Sequence, residues 1–119
     1  MTSTVSRSER IAALNDALRQ DPSNSGLSRI TMTSGVGALG PAFWGKVAAR
    51  LASLTREDFD PDNDPYGERD FAALEVDGHK LFYKIDYYER GSDYMGGAET
   101  PEDATTTDRV LTVMLREEY

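Results

Sequence analysis

The chain opens with apolar residues at helical spacing. Ile11, Leu14 and Leu18 recur on one stripe with Ala12, Ala13 and Ala17 beside them, and the spacing predicts a helix over residues 8–20. Ser6 and Glu9 stand three apart in capping-box order, which places the N-cap at Ser6. The polar segment 21–26 contains proline and glycine and ends that helix in a turn. Residues 29–33 alternate and are β-branched, which predicts a short strand. After a glycine-rich stretch, Pro41 suits the first turn of a second helix, with Phe43, Val47, Leu51 and Leu54 on one stripe and Trp44 and Ala48 adjoining.

The clearest local signal is Asp77-Gly78, the preferred pair for a two-residue type I′ turn. It predicts a hairpin of residues 71–76 and 79–88, with Glu75 opposite Lys80, Leu74 opposite Leu81 and Ala72 opposite Tyr83. Residues 109–115 fit a buried strand or a helix, and their valines and threonine favour the strand. Between these elements lie an acidic loop at 57–70 and a polar stretch at about 91–104, expected to be mobile. The pattern predicts one two-layer α+β domain over residues 1–119, its ordered core beginning near residue 8. The element order is α-β-α-β-β-β, with two helices on one face of a mostly antiparallel sheet.

Composition narrows the function classes. The chain has 119 residues, the size of a single domain. It holds no cysteine, which excludes disulfides and thiolate chemistry. The first residues carry no apolar run of a secretory leader, and no stretch reaches the length of a membrane span, so a cytoplasmic location is expected. The net charge of −8 is uneven. Residues 1–56 hold seven basic and three acidic side chains, a balance of +4, and residues 57–119 hold six and eighteen, a balance of −12. Such a surface repels nucleic acid and anionic membranes and attracts a basic protein.

Three motifs invite chemistry. Gly35-Val36-Gly37-Ala38-Leu39-Gly40 spells the dinucleotide fingerprint between a strand and a helix. Yet Pro41 starts the helix only after the third glycine, and an acidic loop stands where a second parallel strand belongs. A structural turn is the better reading, with a simpler anion site at Gly35, Gly37 and Gly40 as the remaining functional one. The acidic loop fits no EF-hand frame: a start at Asp60 puts Pro65 at the sixth position, and a start at Asp62 puts Ala73 at the twelfth. His79 is the only histidine and follows an exposed turn, and no nucleophile elbow occurs. Tyr83, Tyr87 and Tyr88 with Phe82 and Lys84 make an aromatic strand, read as core packing with an amphipathic edge. No cofactor, metal or catalytic set is expected.

The runs 29–41, 62–71, 82–88 and 109–115, with Glu118-Tyr119, resemble a bacterial domain-of-unknown-function family, numbered three-seven-six-eight, over roughly residues 10–119. The aspartate–proline–tyrosine segment at 64–66 and the segment Lys84-Ile85-Asp86-Tyr87-Tyr88 are the most specific parts. The resemblance implies a small single-domain protein, often carried on plasmids and other mobile DNA, with no activity to transfer. Its setting adds weight to an accessory or counter-defence role. The leading expectation is a non-enzymatic interaction protein whose Asp58, Asp60, Asp62, Asp64 and Glu68 imitate phosphates in the basic, nucleic-acid-binding groove of a protein partner. The alternatives are a small-molecule or nucleotide-binding enzyme using the glycine segment, and a structural or oligomeric module.

Overall fold

A computed structural model describes residues 5–21 and 28–119. The expected turn at 21–26 lies, beyond Asp21, outside the described residues. Helix α1 spans Arg7–Gln20, and the Ser6 hydroxyl accepts the Glu9 N–H at 3.1 Å, the capping bond expected from the sequence. Strand β1 follows at Arg29–Met32, then a single helical turn, α2, at Ser34–Gly37, and helix α3 at Pro41–Ser53. Pro41 opens α3 behind Gly40, whose φ of 91° lies where side chains are disfavoured. Strands β2 (Phe71–Val76), β3 (His79–Glu89) and β4 (Thr107–Leu115) complete the sheet.

The sheet order is β1-β4-β3-β2, with β2–β3 and β3–β4 antiparallel and β1–β4 parallel. The fold is the expected α+β class, with a mixed sheet. Asp77 and Gly78 both take positive φ, 50° and 78°, as the type I′ turn requires, and the hairpin register is the one read from the sequence. Residues 109–115 are strand, with Val113 in the core beneath the helices and Val110 buried on the opposite face. β3 is an interior strand rather than an edge. Tyr83 and Tyr87 therefore turn towards the helices, while Phe82, Lys84 and Tyr88 turn to the opposite face.

Leu18 of α1 and Phe43, Val47 and Leu51 of α3 pack on one sheet face against Leu74, Leu81, Tyr83, Leu111 and Val113. The stripe on α3 is buried as expected. On α1 the buried residues are Ile11, Ala12, Asn15, Leu18 and Arg19, while Leu14 is only half-buried. Two polar side chains thus occupy the inner face of this helix, and both bond to other elements of the fold.

Candidate functional site

The acidic loop is shaped by its own carboxylates. Beyond α3, residues 56–58 form a 3-10 turn that Asp58 caps, its Oδ2 accepting the Thr55 N–H at 2.8 Å. That backbone bond and the Arg50 guanidinium, 3.3 Å from Oδ1, hold the exposed Asp58 carboxyl below its ordinary value. Asp60 accepts the Asp62 N–H at 2.9 Å, a local Asx turn. Asp64 is buried, and its Oδ1 accepts the Arg69 N–H at 3.0 Å across the turn closed by Gly67. Glu68 is half-buried and accepts the Tyr87 hydroxyl at 3.1 Å. Of the five carboxylates read as one surface, Asp58, Asp60 and Asp62 face solvent. Asp64 and Glu68 turn inward because backbone and tyrosine donors sit beneath them.

Sequence reasoning missed the clamp that holds this loop. The Arg69 guanidinium forks onto Asp16 of α1, with Nε 2.9 and 3.1 Å from the two oxygens and Nη2 2.6 Å from Oδ2. Asp16 also receives Arg19 Nη1 at 2.8 Å, and Arg19 Nε reaches the Leu51 carbonyl at 2.8 Å, tying α1 to the end of α3. Burial pushes the Asp16 carboxyl up, but the hydrogen bonds from Arg69 and Arg19 outweigh it and the net shift is downward. The Tyr83 hydroxyl donates to the Arg69 carbonyl at 2.7 Å.

Asn15 is fully buried and bonds three partners. Its Nδ2 donates to the Glu68 carbonyl at 3.0 Å and to the Tyr87 oxygen at 2.9 Å, and its Oδ1 accepts Arg109 Nε at 2.8 Å. Arg109 is buried too, stacks 5.2 Å from the Tyr87 ring centre and donates to the Pro101 carbonyl. Burial pulls its pKa down and pushes those of Tyr83 and Tyr87 up. One signal could have found this network: Asn15 lies four residues after Ile11 and three before Leu18, inside the apolar stripe.

Next to the clamp, Asp70 is pushed up to about 6, first by burial and then by Glu68, Asp64 and Asp86. A carboxyl raised in the folded state binds its proton more tightly there than in the unfolded chain. It therefore lowers stability as pH rises from the ordinary carboxylate value through about 6. Asp70→Asn should stabilise the protein by about 1 kcal/mol at neutral pH and above, a figure already reduced for solvent screening. Thermal unfolding should show a melting temperature about 4 °C higher near pH 8 and no difference near about pH 3.5. An equal shift at both would count against the titration of Asp70 as the cause.

The glycine segment is already occupied from within. Glu118 places its carboxylate 3.2 Å from the Gly35 nitrogen, 2.6 Å from the Thr33 hydroxyl and 2.8 Å from the Leu115 nitrogen. Those donors, the Thr33 hydroxyl foremost, lower its pKa. A Cβ on Gly35 would stand 2.7 Å from that carboxylate, so a larger residue there would displace the Glu118 side chain from its donors. Gly37 lies in the helical turn, and Gly40 caps α3 with open space around it. The strand that follows the helix, β2, pairs with β3 and not with β1, so the adjacent parallel strands of a dinucleotide site are not formed.

His79 is exposed and stacks edge-on against Phe43, ring centres 5.3 Å apart. Among the described residues no group of three histidines or carboxylates is placed to hold a metal. A cleft of about 500 Å³ opens between α1, β1 and α3, where Trp44, Ile30 and Ala48 meet Gln20 and Ser28. The Arg19 guanidinium on its wall is already bonded to Asp16 and to α3. No helix of the described residues is long and apolar enough to cross a membrane.

Comparison with known proteins supplies a family and no activity. Neither the curated proteins nor the solved structures contain a match. Residues 32–118 match the family described as protein of unknown function (DUF3768), a span running from the end of β1 through the glycine segment, the acidic loop with Arg69 and all three antiparallel strands, and leaving out α1 with its half of the clamp. The chain belongs to that family.

Proposed function

We propose that the protein is a binding module whose solvent-facing acidic edge, Glu57, Asp58, Asp60 and Asp62, meets arginines and lysines of a protein partner. The observation behind this reading is the clamp. A loop that only confers solubility needs no defined backbone, whereas this one is anchored at Arg69 by Asp16, Asp64 and Tyr83. The segment carrying the exposed carboxylates is held at one end by the Asp58 cap and at the other by the clamp, which lowers the ordering cost of docking. Carboxylates so spaced offer charge and acceptor oxygens to a groove built for phosphates. A nucleic-acid-binding groove, such as that of a bacterial defence nuclease, has this chemistry.

The test is a variant combining Glu57→Gln, Asp58→Asn, Asp60→Asn and Asp62→Asn. It keeps side-chain size, leaves an amide oxygen at positions 58 and 60 to accept the Thr55 and Asp62 N–H bonds, and spares the inward Asp64 and Glu68. Used as bait in lysate of the native host beside the unchanged protein, it should capture the partner about tenfold more weakly, with a smaller salt dependence. Capture of the same partner with the same salt dependence would return the loop to a solvated connection.

A further inference from the structure

The sheet exposes a strand edge built to pair. β2 is continuous over six residues, without proline or bulge, and Glu75 is its only charge. Natural edges are normally blunted by such devices or by lysines. In a two-residue hairpin Val76 and His79 form the first hydrogen-bonded pair, so Leu74 and Ala72 point their peptide groups towards β3. The bond from the Ile85 N–H to the Asp70 carbonyl, 2.8 Å, continues that parity. The peptide groups of Phe71, Ala73 and Glu75 therefore point away from the sheet, and no hydrogen bond from another described element reaches them.

We propose that β2 pairs antiparallel with β2 of a second copy, across a two-fold axis through Ala73. Five two-fold registers, centred on residues 71 to 75, would set outward peptide groups face to face; those centred on Ala72 and Leu74 form only about four hydrogen bonds before the ladder meets Arg69 or Asp77, both at positive φ. One centred on Glu75 opposes two carboxylates, which is unfavourable. One centred on Phe71 runs the ladder into Arg69, whose φ of 55° is not a strand conformation. The register centred on Ala73 sets Phe71 opposite Glu75 of the second copy and uses all three outward residues twice, for about six hydrogen bonds.

Side chains agree with that choice. On the face away from the helices, Ala73 lies beside Phe82, which lies beside Met114. Phe82 packs on Phe71 and Tyr119, ring centres 5.2 Å from each, and the small alanines leave the axis between the two aromatic clusters free of bulk. Glu75 of the second copy enters the row of Phe71 and Lys84, where the lysine, which pairs with Asp86 at 3.1 Å, supplies a cation to be shared. On the other face Ala72 comes opposite Leu74 of the second copy, extending both cores. A seam of this length is below the standard size of stable interfaces, so the dimer forms only at high protein concentration.

The chain contains no cysteine, so a single introduced thiol reports the register. With Ala73→Cys, the two α-carbons would stand about 5.5 Å apart, within disulfide reach. With Glu75→Cys they would stand about 14 Å apart. Under mild oxidation the first should cross-link at least about tenfold faster than the second. Sedimentation at about 0.5 mM should show dimer for the unchanged protein and monomer for Ala73→Pro, whose lost N–H belongs to the outer edge alone. Monomer for the unchanged protein, equal cross-linking at the two positions, or a dimer that survives folded Ala73→Pro would each overturn the proposal.

Discussion

Asn15→Leu is expected to destabilise the protein by about 3 kcal/mol, although it places an apolar residue of similar size on the buried face of a helix. Asparagine is the hub through which α1, the acidic loop, β3 and β4 are joined. Leucine can neither accept from Arg109 Nε nor donate to the Glu68 carbonyl. A buried guanidinium nitrogen and a buried carbonyl would both lose their partner, and charged groups raise that penalty. Arg109 would keep the Pro101 carbonyl and the Tyr87 ring, which limits the loss. Thermal unfolding should show a melting temperature about 12 °C lower. A change within about 0.5 kcal/mol would mean that Arg109 finds another acceptor and that the hub is dispensable.

Asp16→Ala comes next, at about 2 kcal/mol near neutral pH. It leaves two arginines facing each other, one buried and one half-buried, without their shared counter-ion. Loss of one partner from a buried pair costs more than this, and partial solvent access to Asp16 reduces it. The pH dependence is a signature. Because the folded-state pKa of Asp16 is depressed, its contribution is complete above the ordinary carboxylate value and fades as pH falls through the folded value. The stability gap between the two proteins should therefore close in acid, as denaturant titrations at several pH values would reveal. A gap that persists undiminished in acid would assign the effect to packing instead. The same substitution releases Arg69, so it should also weaken partner capture while every exposed carboxylate remains in place.

The legible and illegible parts of this fold divide by distance along the chain. Ser6 with Glu9, Pro41 behind Gly40 and Asp77-Gly78 act on their immediate neighbours, and each was readable because its geometry is local. The glycine segment misleads for the same reason. Its spacing spells a phosphate cradle, but the group that meets Gly35 is Glu118, a contact spanning 83 positions. Charge counting found the acidic loop and gave it a single orientation. Only the fold separates outward Asp60 and Asp62 from inward Asp64 and Glu68, because the loop turns back on itself at Arg69 and the sheet brings Tyr83 and Tyr87 beneath it. The pairing of β1 with β4 was equally invisible, since a parallel partner leaves no turn to announce it.

That parallel pairing bears on the order in which the molecule assembles. β2, β3 and β4 form an antiparallel meander whose first hairpin closes through two residues, whereas Arg29 meets Val110 only after 81 intervening steps of chain. Loop-closure entropy favours the meander as the early nucleus and leaves β1, with α1 behind it, to dock late. The four-residue ladder of β1 would then be the first to open in the native state, so its amides should exchange with solvent ahead of those in β3 and β4. The acidic loop, fastened to α1 through Asp16 and Asn15, would loosen in the same excursion. Whatever meets the loop thus senses the integrity of the amino-terminal half, and its binding would stabilise that half in return.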